Sequence, residues 1–157
     1  MITQSMRATS AAESRFRIAQ PNSRTRKTLV LALGRHALTP LAELQQLGWN
    51  NTVMGLYTSG HLELYSGQET RRVPLDDALD QLDVMVLLIT SDSDTESIER
   101  IGEACSRRRI MTSGFVLEPP DETDINTVLD CTRRVTVSLV IDTDTDTLIE
   151  SLRAVRA

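Results

Sequence analysis

Short continuous apolar runs alternate along this chain with stretches whose apolar residues recur every third or fourth position. The first run, Thr28 to Gly34, predicts a buried strand, and Pro40 to Leu47 predicts a helix within roughly 38–48, closed by Gly48. Thr52 to Tyr57 predicts a second strand. A polar connection with a possible helical turn follows, then a short strand near Arg71 to Leu75 and a helical turn or two over Asp76 to Leu82. Asp83 to Thr90 is the strongest run, of the kind found in parallel strands covered on both faces. Ser93-Asp-Thr-Glu96 has the spacing of a capping box, and the helix it opens carries Ile98, Ile101 and Cys105 on one face. Ile110 to Leu117 predicts a strand that Pro119-Pro120 stops. A helix starting at Asp121 or Thr123 follows, then a strand over Val135 to Ile141, a turn over Asp142 to Asp146 and a closing helix over Thr147 to Val155.

Strands that alternate with helices imply right-handed crossovers and a parallel sheet. The predicted architecture is α/β: a three-layer, Rossmann-like, doubly wound and mostly parallel sheet of about six strands with helices on both faces. A length of 157 residues fits one domain, set at 27–157. Aromatic residues make up only 3% of the chain, which argues against stacking platforms for single-stranded nucleic acid. No apolar run approaches the roughly 20 residues needed to span a bilayer.

Charge divides the chain. Residues 1–27 carry six basic side chains against Glu13 alone, while the remainder carries 11 basic and 21 acidic ones. Residues 1–26 therefore read as a disordered basic tail, able to meet an acidic partner or the acidic body; an organelle transit peptide is the minor alternative. The acidity of the body argues against a nucleic-acid groove. Arg107-Arg108-Arg109 falls where a helix should end and suits its dipole. Cys105 and Cys131 lie in predicted helices without a C-x-x-C motif, which suggests small core residues and a reducing, cytoplasmic setting. Trp49 is expected to pack at the end of the first helix.

The candidate chemistry starts at Gly34-Arg35-His36-Ala37-Leu38. A turn between a first strand and a first helix is where doubly wound domains receive phosphate, with glycines letting backbone N–H groups approach. Here one glycine stands where several are needed, and Arg35 and His36 bring side chains to that place. Asp92, Asp94 and Asp142 fall at the carboxyl ends of predicted strands and are a candidate metal set. Asp142-Thr-Asp-Thr-Asp146 opens like an EF-hand loop, but Thr147 and Arg153 occupy positions that require Gly and Glu. A polar turn with a helix cap at Asp144 or Asp146 is the expected alternative. His36 and His61 could meet at one edge, without a nucleophile in view.

Leu31-Ala-Leu-Gly34, the helix after it and Gly48-Trp49 resemble the first strand, phosphate loop and first helix of the tubulin/FtsZ family. Thr58-Ser59-Gly60, the run Asp83 to Leu88, Phe115 to Pro119 and Leu139 to Asp142 take the places of later family elements, with few identities. The resemblance implies ligand positions at Gly34, Arg35, His36, Ser59, Gly60, Ser91 and Ser93. It also implies loss of the GTPase, because Thr90 to Thr95 holds two carboxylates where the family has its glycine-rich signature. The expectation that follows is a non-catalytic FtsZ-like module with no cofactor, acting through a protein partner or self-association. The alternative is nucleotide or dinucleotide binding, GTP or NAD(P), at the Gly34 loop.

Overall fold

The computed structural model describes residues 25–117 and 124–154. Residues 1–24 of the basic tail, the Pro119-Pro120 stop and the proposed helix start at Asp121 or Thr123 lie outside the described residues, as does Val155. Seven strands form one sheet: β1 (Thr28–Leu33), β2 (Thr52–Thr58), β3 (His61–Ser66), β4 (Glu69–Pro74), β5 (Val84–Ile89), β6 (Met111–Leu117) and β7 (Ser138–Asp142). Their order is β4-β3-β2-β1-β5-β6-β7. The pairs β1–β2, β1–β5, β5–β6 and β6–β7 are parallel, while β2–β3 and β3–β4 are antiparallel. The five parallel strands, counted along the chain, thus run 2-1-3-4-5, the order of flavodoxin-like doubly wound sheets.

The helices are α1 (Leu38–Gln45), α2 (Leu75–Ala78), α3 (Thr95–Arg107), α4 (Asn126–Val135) and α5 (Asp146–Ala154). All six residues of β1 and of β5 are buried, which is why both read as unbroken apolar runs. Their alternate residues serve opposite faces of the sheet. Leu29, Leu31, Leu33, Met85, Leu87 and Ile89 pack with α2, α3 and α4, through side chains such as Leu79, Ile98, Ile101 and Leu129. Val30, Ala32, Val84, Val86 and Leu88 pack with Leu41 and Leu44 of α1 and Leu148 and Leu152 of α5. Cys105 and Cys131 are buried free thiols, and Trp49 donates its indole N–H to the Leu44 carbonyl at the end of α1, 2.8 Å away.

The sheet is wider than the six strands expected. Residues 61–66 form a strand where the sequence suggested a polar connection, because an edge hairpin needs few apolar side chains: only Leu62 of β3 and Val73 of β4 are buried. The turn that leads from β2 into β3 is Ser59-Gly60, with φ of 48° and 87°, the two-residue loop that suits the twist of a hairpin. Val135 ends α4 rather than opening β7, and its side chain packs against Gly102 of α3. Arg108 ends α3 and pairs with Asp76.

Candidate functional site

Ligands of open parallel sheets bind outside the carboxyl ends of the strands, at the point where strand order reverses. In this sheet that point lies between β1 and β5. The residues that follow these strands, 34–37 and 90–94, are therefore where a site is expected.

After β1 the chain turns at Gly34, whose φ of 125° and ψ of 158° suit glycine alone. One 3-10 turn, Arg35–Ala37, then leads into α1. After β5, residues 90–93 close a tight turn, with the Ser93 N–H donating to the Thr90 carbonyl at 2.9 Å. The buried Ser93 hydroxyl accepts the Thr90 N–H and donates to the Leu33 carbonyl, tying the end of β5 to the end of β1. Because Ser93 is used in this way, the helix cap falls one residue later than the capping-box spacing suggested. Asp94 accepts the Ser97 N–H at 2.9 Å and the Ser97 hydroxyl at 2.6 Å. These bonds hold its carboxyl below the usual carboxylate range.

Asp92 reaches across the turn into the Gly34 loop. One carboxylate oxygen accepts the Arg35 backbone N–H at 2.7 Å, and the other accepts the Thr90 hydroxyl at 2.6 Å. His36 Nδ1 lies 3.5 Å from the second oxygen. A Cβ on Gly34 would stand 2.6 Å from that oxygen and 2.8 Å from Thr90 Oγ1. Gly34 thus lets the chain's own carboxylate approach closely. Burial pushes the Asp92 carboxyl up, but the Thr90 hydroxyl, the Arg35 N–H and the His36 charge outweigh it, so the net shift is downward. The imidazole of His36 is 71% exposed and Asp92 30% exposed.

Other candidate positions are distributed around the same crest. Ser91 is half-buried in the turn after β5. Ser59 and Gly60 form the hairpin turn at the end of β2, and a Cβ on Gly60 would lie 3.8 Å from an Arg100 guanidinium nitrogen. His61 opens β3, two strands away from β1.

Asp142 ends β7, two strands from β5, a separation of about 10 Å at ordinary strand spacing. It accepts the Thr147 hydroxyl and the Thr143 N–H, which lower its pKa. Asp144 accepts the Asp146 N–H at 3.0 Å as α5 begins. Asp92, Asp94 and Asp142 are therefore each bound within their own turn or loop pair. Among the described residues no three His, Cys, Asp or Glu side chains gather to hold a metal ion.

Thr90 was not singled out from the sequence. Its signal is a hydroxyl residue directly after a wholly apolar strand, and it is 4% exposed beside the Asp92 carboxylate.

No family model and no curated protein matches this chain. Among solved structures, the chain is similar to the apo-form of the flavoprotein from Lactobacillus acidophilus NCFM, solved by NMR. The identity is 9% and the TM-score 0.48, over 82% of this chain and 98% of that one. Nothing in these comparisons leads to tubulin or FtsZ, and the solved structure named above is a flavoprotein. The FtsZ-like reading is corrected accordingly. With it go the non-catalytic interaction module, the absence of a cofactor, and GTP or NAD(P) as alternatives.

The physical reason is that strand–helix alternation is common to all doubly wound domains. Leu31 to Gly34, the helix after it and Gly48-Trp49, which carried the resemblance, are a first strand, turn and helix of that common kind, and Ser59-Gly60 is a hairpin turn.

A likeness this distant brings no flavin with it, so the fit is judged on the residues. In this strand order a flavin mononucleotide sits at the β1 switch point. There the Arg35 N–H is already bonded to Asp92. Among the described residues no Phe, Tyr or Trp ring stands free to stack at these strand ends. Tyr57 and Phe115 are buried in the core, while Trp49 and Tyr65 lie near the opposite end of β2. The residues present do not fit the group.

No helix among the described residues is long and apolar enough to cross a membrane.

Proposed function

We propose that this domain binds a small, non-phosphorylated ligand over the carboxyl ends of β1 and β5, and that the ligand presents an amine or another positively charged donor to the His36–Asp92 pair. The observation that carries this reading is the meeting of these two side chains, from loops 56 residues apart, at the topological switch point of the sheet. Asp92 remains partly open to solvent, and Asp94, Asp142 and Asp144 give the crest a negative field. That field draws cations and turns away phosphates. Among the described residues His36 supplies the ring beside the carboxylate, and its exposure leaves Nε2 free to bond a ligand.

The test is binding of putrescine, agmatine and spermidine, followed by thermal unfolding and by the His36 imidazole resonances. A ligand at about 100 times its dissociation constant raises stability by roughly 2.7 kcal/mol. The expected result is stabilisation by at least one amine, shifted His36 resonances, and loss of both effects in a folded His36→Ala variant. Stabilisation that persists unchanged in His36→Ala would place the amine elsewhere and refute the reading.

A further inference from the structure

We infer that Asp92 is the resident anion of the Gly34 loop, and that its carboxylate takes the seat which a ligand's phosphate occupies in other doubly wound domains. Three observations converge on it. The Arg35 N–H, first in the turn that leads into α1, points at a carboxylate oxygen 2.7 Å away, the geometry of a charge-assisted bond to an anion. The space beside Gly34 that a Cβ would fill is filled by that carboxylate and the Thr90 hydroxyl. The turn that presents Asp92 is locked by Ser93, whose hydroxyl joins the ends of both strands. The loop thus keeps the glycine, the backbone donor and the helix start of a phosphate-binding turn, and satisfies them from within the chain.

A phosphate could enter only by displacing Asp92, which would leave a partly buried carboxylate next to the incoming negative charge. Asp92 is accordingly a specificity-determining residue that excludes nucleotide and flavin phosphates. This inference does not depend on the amine ligand proposed above, since it concerns what the loop refuses.

The experiment compares the full-length protein with Asp92→Gly and Asp92→Asn, by thermal unfolding in sodium phosphate against sodium chloride at equal ionic strength. Phosphate stabilises any fold slightly relative to chloride, and the wild type and Asp92→Asn, whose amide still fills the seat, are expected to share that same small rise. Asp92→Gly is expected to rise further, with a saturable dependence on phosphate concentration. A wild type that rises as far as Asp92→Gly, or a folded Asp92→Gly that rises no more than the wild type, would overturn the inference.

Should Asp92→Gly fail to fold, the wild type alone decides. Its Arg35 amide proton must move as the Asp92 carboxyl titrates, and an Arg35 amide indifferent to that titration refutes the contact. A wild type that binds no amine sinks the proposed function and leaves this result standing, so the two failures are distinguishable.

Discussion

Replacing Gly34 by alanine tests the central contact of the site directly. Two costs are built into the structure. The backbone at φ 125° and ψ 158° lies in a region essentially closed to other residues, a strain worth about 1–3 kcal/mol. The new methyl would also stand 2.6 Å from an Asp92 oxygen, so the carboxylate must move and give up the Arg35 N–H. A bond to a charged group contributes about 1.5–3 kcal/mol, toward the lower end here because Asp92 is 30% exposed. Together these give a loss of about 3 kcal/mol and a fall of roughly 10 °C in the unfolding midpoint for a domain of this size. Urea denaturation of the wild type, Gly34→Ala, Asp92→Gly and the double variant separates the two parts. With Asp92 gone the backbone strain and the approach to Thr90 Oγ1 remain, so the cycle should show a coupling of about 1–2 kcal/mol. A Gly34→Ala protein within about 0.5 kcal/mol of the wild type, or strict additivity in the cycle, would refute the close approach of Asp92 to Gly34.

Acid should weaken the fold through the same residues. Asp92 and Asp94 have pKa values lowered by folding, so their contribution is complete above the unfolded carboxylate value near about 4 and is lost as pH falls through the folded values. Asp92→Asn should flatten the acid limb of a stability-against-pH curve and leave its neutral region level. At Gly102 of α3 a Cβ would run into Val135 Cβ and lie 2.7 Å from its Cγ1, so Gly102→Ala should cost about 1–3 kcal/mol in urea unfolding, and Val135→Ala, which keeps the Cβ, should recover only a minor part of it. Thr52 Oγ1 is buried without a hydrogen-bond partner, and Thr52→Val should be neutral or stabilising by thermal melt. Burial pushes the Cys105 and Cys131 thiols up, so neither should react with a thiol reagent at neutral pH until urea unfolds the chain.

The strands that read most plainly from the sequence are those in which burial is total. β1 and β5 are apolar at nearly every position because helices cover both faces of the sheet, and a run of six such residues is too short to form a buried helix. β3 escaped notice because it buries a single side chain, Leu62, while β4, read as a short strand near Arg71 to Leu75, buries only Val73. The turn from β2 into β3 was in plain view as Ser59-Gly60, but the dipeptide was assigned to a ligand loop by analogy with another family. The α4–β7 boundary moved for a different reason. Val135 suits a strand by propensity, yet tertiary contact with Gly102 keeps it helical.

The site was legible as a set of residues and illegible as an arrangement. Gly34, Arg35, His36, Asp92 and Ser93 all stand out in the sequence, in two clusters nearly 60 residues apart, and the parallel pairing of β1 with β5 puts those clusters side by side. Sequence reasoning treated the lone glycine as a remnant of a lost phosphate loop, and the aspartates as a charge such a loop could not tolerate. The distances reverse that relation. The carboxylate is what the loop binds, and the glycine is retained because the carboxylate comes so near. A missing glycine and an added carboxylate, which look like two separate losses along the chain, become one substitution in space: a fixed internal anion in place of an exchangeable one. Pairing of that kind depends on which strand ends are neighbours, and strand order is the property least visible in the alternation of strands and helices from which the fold was inferred.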